Sequence, residues 1–287
     1  DALTAYLKHC GRAPVRACAI AIANPVVGDQ VTMTNHHWSF SIRDLKSRCG
    51  FERLLVLNDF TALALALPAL RADETVQVGG GAPQPGSAIG LIGPGTGLGV
   101  SGLVPDGRGG WLPIQGEGGH ATLAGTTPRE RAVLERIGAR LGHVSAERAV
   151  CGQGLLNIHR ALAEIDGTPA AADITTSADV TQRALAGHDA TCVEALALFC
   201  AYLGIAAGNL ALTLGARGGI YIGGGIVPRL GHWFVTSPFR ARFEAKGRFS
   251  EYLAAIPVYV IQTARSPAFL GAAIALDADA RDAGCAA

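Results

Sequence analysis

Leu54-Leu55-Val56-Leu57-Asn58-Asp59-Phe60 is the stretch that decides the fold. Four branched apolar residues in a row read as a fully buried strand of the kind found inside an α/β sheet. The Ala- and Leu-rich residues 61–70 that follow read as a helix, so the stretch crosses a strand-to-helix junction. Asp59 therefore stands at the rim of the sheet, where α/β proteins place their ligands. Helix capping is the competing role, and either Asn58 or Asp59 would serve it.

Outward from this junction the pattern stays α/β. On the N-terminal side, residues 18–23 form a short apolar strand before the turn Asn24-Pro25. Residues 31–33 and 38–42 read as extended pieces around the polar Thr34-Asn35-His36-His37, and residues 41–49 as a helix. On the C-terminal side, the Gly/Pro-rich residues 79–86 mark a lobe boundary or a surface loop. Two apolar runs, 88–92 and 98–104, flank a glycine turn and predict a hairpin. Residues 115–120 read as loop, 128–140 as helix, and a further helix starts at Ser145. Residues 193–214 form a long buried helix. A strand at 219–222 runs into Gly223-Gly224-Gly225 and a new helix, and a closing strand (257–262) and helix (267–276) complete the pattern.

Composition sets the bounds. Of 287 residues, 49% are hydrophobic and 16% charged, enough for one large domain or two lobes with separate cores. The net charge of +1 argues against a nucleic-acid partner. The most basic stretch, from Phe239-Arg240-Ala241-Arg242 to Lys246-Gly247-Arg248, is interrupted by Glu244 and reads as a solvated helix face. The cysteines number 7, an odd count without any C-x-x-C pair, which disfavours a disulfide framework or a structural zinc and fits a reducing cytoplasm. Neither an uninterrupted membrane-length apolar run nor a signal peptide is legible, so no membrane partner is expected.

The candidate chemistry lies in loops. Gly93-Pro94-Gly95-Thr96-Gly97-Leu98-Gly99 offers unobstructed backbone N–H groups and one hydroxyl, which suit phosphate oxygens or merely close a hairpin. A G-x-G-x-x-G match from Gly97 to Gly102 lies within a strand and opens no helix, so a Rossmann site does not follow; no P-loop pattern occurs. Gly223-Gly224-Gly225 fits either close approach of a ligand or dense strand–helix packing. Glu117 and His120 sit among glycines. As metal ligands they lack a third partner at good spacing; as hydrogen-bonding groups they suit sugar hydroxyls. Glu147 opens a helix, where a carboxylate also complements the dipole, and Asn35 and His36 fit a turn equally well. Together, two glycine-lined anion cradles, several carboxylates and a strand-end Asp describe phosphoryl transfer to an alcohol. Such chemistry needs amides and a metal for the phosphates and a carboxylate for the hydroxyl proton.

In order along the chain, Val56-Leu57-Asn58-Asp59-Phe60-Thr61-Ala62, Gly93 to Gly99, Gly116-Glu117-Gly118-Gly119-His120, His143-Val144-Ser145-Ala146-Glu147-Arg148 and Gly223-Gly224-Gly225-Ile226-Val227-Pro228-Arg229 resemble the signatures of bacterial glucokinases. Met33-Thr34-Asn35-His36 and Lys246-Gly247-Arg248-Phe249 fit as well. The related ROK sugar kinases carry a zinc-binding cysteine cluster that this sequence lacks, so the resemblance is to the hexokinase-like branch. It implies an α/β, two-lobed actin-like ATPase (ribonuclease H-like) fold with mixed sheets flanked by helices and the active site in the interlobe cleft. Residues 1–69 plus 265–287 would form the smaller lobe and 70–264 the larger.

The same resemblance implies ATP, Mg2+ and glucose, with glucose 6-phosphate as product, in a cytoplasmic homodimer. Asp59 would be the catalytic base, with Asn35, Asn58, Glu117, His120 and Glu147 also holding the sugar. Gly95, Thr96 and Gly97 would bind phosphate, and Gly223, Gly224 and Gly225 would lie against the adenosine. A kinase for another hexose and a non-catalytic sugar sensor are the alternatives. Members of the family open with a strand–turn–strand containing Asp-x-Gly-Gly-Thr, which is not found here. The resemblance therefore predicts a further N-terminal segment before Asp1, without which transfer would be weak.

Overall fold

A computed structural model describes residues 2–11, 15–33, 37–168 and 173–285. The chain divides into two compact units, Asp1–Leu70 with Ala264–Ala287, and Arg71–Thr263.

The first unit begins with α1 (Ala2–Cys10), β1 (Ala17–Ile22), β2 (Gln30–Thr32), β3 (Ser39–Ser41), α2 (Ile42–Cys49), β4 (Arg53–Asn58) and α3 (Asp59–Ala66). The second holds β5 (Thr75–Gln77), β6 (Ile89–Pro94), β7 (Leu98–Pro105), β8 (Trp111–Gln115), α4 (Pro128–Leu141), α5 (Ala146–Ala149), α6 (Gly152–Ile165), α7 (Ser177–Ala186) and α8 (Ala190–Leu214). It continues through β9 (Gly219–Ile222), α9 (His232–Thr236), α10 (Phe239–Glu244), α11 (Ser250–Ala254) and β10 (Val258–Ile261), and α12 (Ala268–Cys285) returns to the first unit.

In the first unit β1 and β4 pair in parallel from Ala17↔Arg53 to Ile22↔Asn58, so both strands end at one edge. The alternation of a strand sends successive side chains to opposite faces. Val56 packs with Ile22, Val31 and the half-buried Leu54 in one cluster, and Leu57 with Ala62, Ala272 and Leu55 in another. That two-sided burial is why β4 is apolar at every central position. The second cluster is sealed by α12, whose Gly271 lies so close to α3 that a Cβ there would be 1.6 Å from the Ala62 carbonyl oxygen.

The second unit is built on a six-stranded sheet in the order β5-β10-β9-β6-β7-β8. Strands β10, β9 and β6 run parallel to one another, and β5, β7 and β8 are antiparallel to their neighbours. Residues 79–86 form a loop inside this unit, where the Gln84 amide donates to the Arg217 carbonyl at 2.9 Å. The helix α8 is long and apolar enough to cross a membrane by composition, yet 67% of its most apolar window is buried inside the protein. Phe199, Tyr202 and Leu203 fill the core from it, so α8 is a core helix that is apolar almost all round.

One local expectation is corrected. Arg240 and Arg242 do not belong to a solvated helix face. The Arg240 guanidinium donates to the carbonyls of Val78, Leu253, Ala254 and Ile256, and Arg242 Nε donates to Glu130 Oε1 at 2.7 Å. Free carbonyls where chain segments end offer acceptors that a planar guanidinium can bridge.

Candidate active site

In the first unit, the end of β4 sorts the roles of Asn58 and Asp59. Asn58 is the cap of α3: its Oδ1 accepts from the Phe60 and Thr61 amides at 2.9 and 3.1 Å. Its Nδ2 donates to the Asn24 carbonyl at 3.4 Å, which leaves one amide hydrogen for another acceptor. The neighbouring strand end is fixed in turn by Asn24 Nδ2, which donates to the Thr32 carbonyl at 2.8 Å. Because Asn58 does the capping, Asp59 is the first helical residue and half-exposed. Its Oδ1 accepts from the Phe60 amide at 2.8 Å. Its Oδ2 has no hydrogen-bond partner among the described residues. Asn35 lies outside the described residues.

In the second unit, two glycine turns meet at one end of the sheet. The hairpin from β6 to β7 closes with the Gly95 amide donating to the Gly97 carbonyl at 2.8 Å, and Thr96 is exposed at its tip. The Gly95 carbonyl accepts from the Gly152 amide at 3.0 Å, so the start of α6 braces the turn. After β9, the Gly223 amide donates to the Ile92 carbonyl at 2.9 Å. Gly224 has φ +78°, and a Cβ on it would be 2.3 Å from the Pro94 carbonyl oxygen. Close packing and a left-handed backbone are thus sufficient reason for glycine at 224. A Cβ at Gly95 or Gly225 would meet nothing within 4 Å. The open space at these two positions lets a ligand come close to the backbone, and the Thr96 hydroxyl beside it suits an anion.

Glu117 and His120 flank the same turn. A Cβ on Gly119 would be 2.1 Å from the Leu98 carbonyl oxygen, and one on Gly118 would be 2.8 Å from a Val100 methyl. These glycines let the loop lie flat on the start of β7. The carboxylate and imidazole both stand exposed, with His120 Nε2 4.0 Å from Glu117 Oε2. The loop continues along the segment before α5: the Ala146 amide donates to Ala121 and the Leu123 amide to Val144, at 2.9 and 3.0 Å. That pairing delivers Glu147, whose Oε2 accepts from the Leu98 amide at 2.9 Å. Glu117, His120, Glu147 and the Thr96 turn are therefore brought together within one unit.

Two features were not foreseen from sequence. One is the brace of the turn by Gly152 and Glu147, which depends on partners far apart in the chain. The other is a cluster of His159, Asp189 and Cys192, whose ligand atoms lie within 4.8 Å of one another. Its geometry has a structural explanation. Asp189 caps α8 by accepting the Cys192 amide at 3.0 Å, and Arg183 lies 3.9 Å from its carboxylate, placing a cation beside the cluster. Burial, with Asp189 adding to it, pushes the Cys192 thiol up to about 12, so it stays protonated.

The sequence profile of the Glucokinase family matches residues 1–279. The chain is 57% identical over 278 residues to the glucokinase of Aromatoleum aromaticum, covering 96% of this chain and 83% of that protein. It is 58% identical over 273 residues to the glucokinase of Chromobacterium violaceum, covering 95% of this chain and 77% of that one. Among solved structures, a glucokinase from an Antarctic psychrotroph superimposes with a TM-score of 0.86 at 35% identity, covering 96% of this chain and 84% of that chain.

Proposed function

The chain belongs to the glucokinase family, and from that premise we propose how its residues divide the work. The activity is ATP-dependent phosphorylation of glucose, carried by a chain of the actin-like ATPase fold. In our reading Asp59 is the catalytic base. As the 6-hydroxyl oxygen attacks the γ-phosphorus, its proton passes to Asp59 Oδ2, the bond from γ-phosphorus to the β-bridging oxygen breaks, and ADP leaves. The observation that carries this assignment is the Asn58 cap, which fixes the first turn of α3 and leaves that oxygen without a partner among the described residues.

Asn35, Asn58, Glu117, His120 and Glu147 hold the remaining hydroxyls, carboxylates accepting and amides donating. The Gly97 amide and the Thr96 hydroxyl hold phosphate oxygens, which the bare backbone of Gly95 lets come close, and Gly223, Gly224 and Gly225 form the flat backbone against the nucleoside. A magnesium ion bound with ATP would neutralise charge on the transferring phosphates. The enzyme works in the cytoplasm as a homodimer, with no nucleic-acid or membrane partner.

Sugar choice is tested by a coupled assay of ADP release over a panel of glucose, mannose, fructose and glucosamine, using the protein at its full cellular length. A site that hydrogen-bonds each hydroxyl should favour glucose in kcat/KM by at least about tenfold over each epimer or analogue. A better turnover of another hexose would reassign the substrate. Sugar binding without nucleotide binding would make the protein a sensor.

A further inference from the structure

Leu98 opens β7 opposite Pro94, next to the hydrogen-bonded Gly95–Gly97 pair, so by the alternation of an antiparallel ladder its amide points away from β6, and β8 joins β7 only from Ser101 onward. The Leu98 amide is therefore left over by the sheet. The side chain that takes it is Glu147, through Oε2 at 2.9 Å. The same oxygen fills the space beside Gly97, where a Cβ would lie only 2.5 Å from it. A carboxylate thus clamps the exit of the turn assigned above to the phosphates. It brings negative charge to the place where more negative charge must bind.

We propose that Glu147 is a positioning residue that couples the sugar site to the phosphate turn. This rests on the reading that Glu147 accepts sugar hydroxyls. In the structure its carboxylate holds the Leu98 amide. Sugar hydroxyls, as competing donors, draw it away from Leu98 and out of the gap beside Gly97. The amide and the turn are then released to the nucleotide, and the carboxylate charge is met by hydroxyl donors. Coupling between two ligands is reciprocal, so nucleotide tightens sugar binding by the same factor.

Gly97→Ala isolates this device. Its added methyl meets only the flexible end of Glu147, so it displaces the carboxylate while the backbone keeps its path. Calorimetry with a non-hydrolysable ATP analogue, with and without saturating glucose, reads the coupling as a ratio of dissociation constants. In the natural protein glucose should tighten the analogue by at least about fivefold, the lower end of ordinary coupling between sites. In Gly97→Ala the ratio should fall below about twofold. An unchanged ratio in Gly97→Ala, or no effect of glucose in the natural protein, overturns the proposal. Glu147→Gln separates its failure from that of the premise. Unaltered glucose affinity in that variant refutes the sugar contact itself, whereas weakened glucose binding with full coupling refutes only the clamp.

Discussion

Glu130 shows how a single buried carboxylate is made tolerable. Its residue is 0% exposed, and burial alone pushes the carboxyl upward. The Thr126 hydroxyl and amide, the Thr127 amide and the Arg242 guanidinium together outweigh that effect and hold it below its ordinary value. The folded carboxyl therefore sits below its unfolded value of about 4.3. Its stabilisation is complete above that value and is lost as pH falls through the folded pKa. At neutral pH Glu130→Ala should cost about 3–5 kcal/mol, because it strands Arg242 and two amides. Urea midpoints of the natural protein and the variant should converge as pH drops from neutral to about 3. A gap that stays constant over that range would show that the ion pair does not carry the stability.

Packing of whole elements is decided by small residues. α12 lies against α3 with Gly271 over the Ala62 carbonyl, and Ala62 and Ala66 are fully buried. Gly271→Ala puts its methyl into that carbonyl and forces the helices apart, at a cost of about 1–3 kcal/mol or more. Thermal unfolding of the variant should shift downward by several degrees; an unchanged midpoint would mean that the helices do not pack this closely. The strand β4 and the hairpin of β6 and β7 were legible in the sequence, because Leu-Leu-Val-Leu and a glycine turn between apolar runs each carry their own physical signal. β8 was not, since Pro113 interrupts its pattern, and proline is tolerated there because β8 is an edge strand. The burial of Arg240 and Arg242 was also hidden, because their acceptors come from segments distant in sequence. Glu147 read locally as a dipole partner for α5 for the same reason: Leu98 lies 49 positions earlier.

At the scale of the molecule, the candidate residues divide between the two units. The first holds Asn58 and Asp59 at the ends of parallel strands, and the second gathers Glu117, His120, Glu147 and both glycine turns. The residue types and their order were readable from sequence because they sit in motifs at strand ends. Which of two adjacent Asx residues caps the helix was not, since both chemistries fit and only the backbone path decides. That decision leaves Asp59 for the role of base proposed above, and Asp59→Asn tests the proposal most directly. Steady-state turnover and glucose affinity should be measured together on the protein at its full cellular length. The variant should lose about 100- to 10,000-fold in kcat, the usual contribution of a general base, and still bind glucose. A folded Asp59→Asn protein that phosphorylates glucose within about twofold of the natural rate would contradict the account, since a general base is worth far more than that.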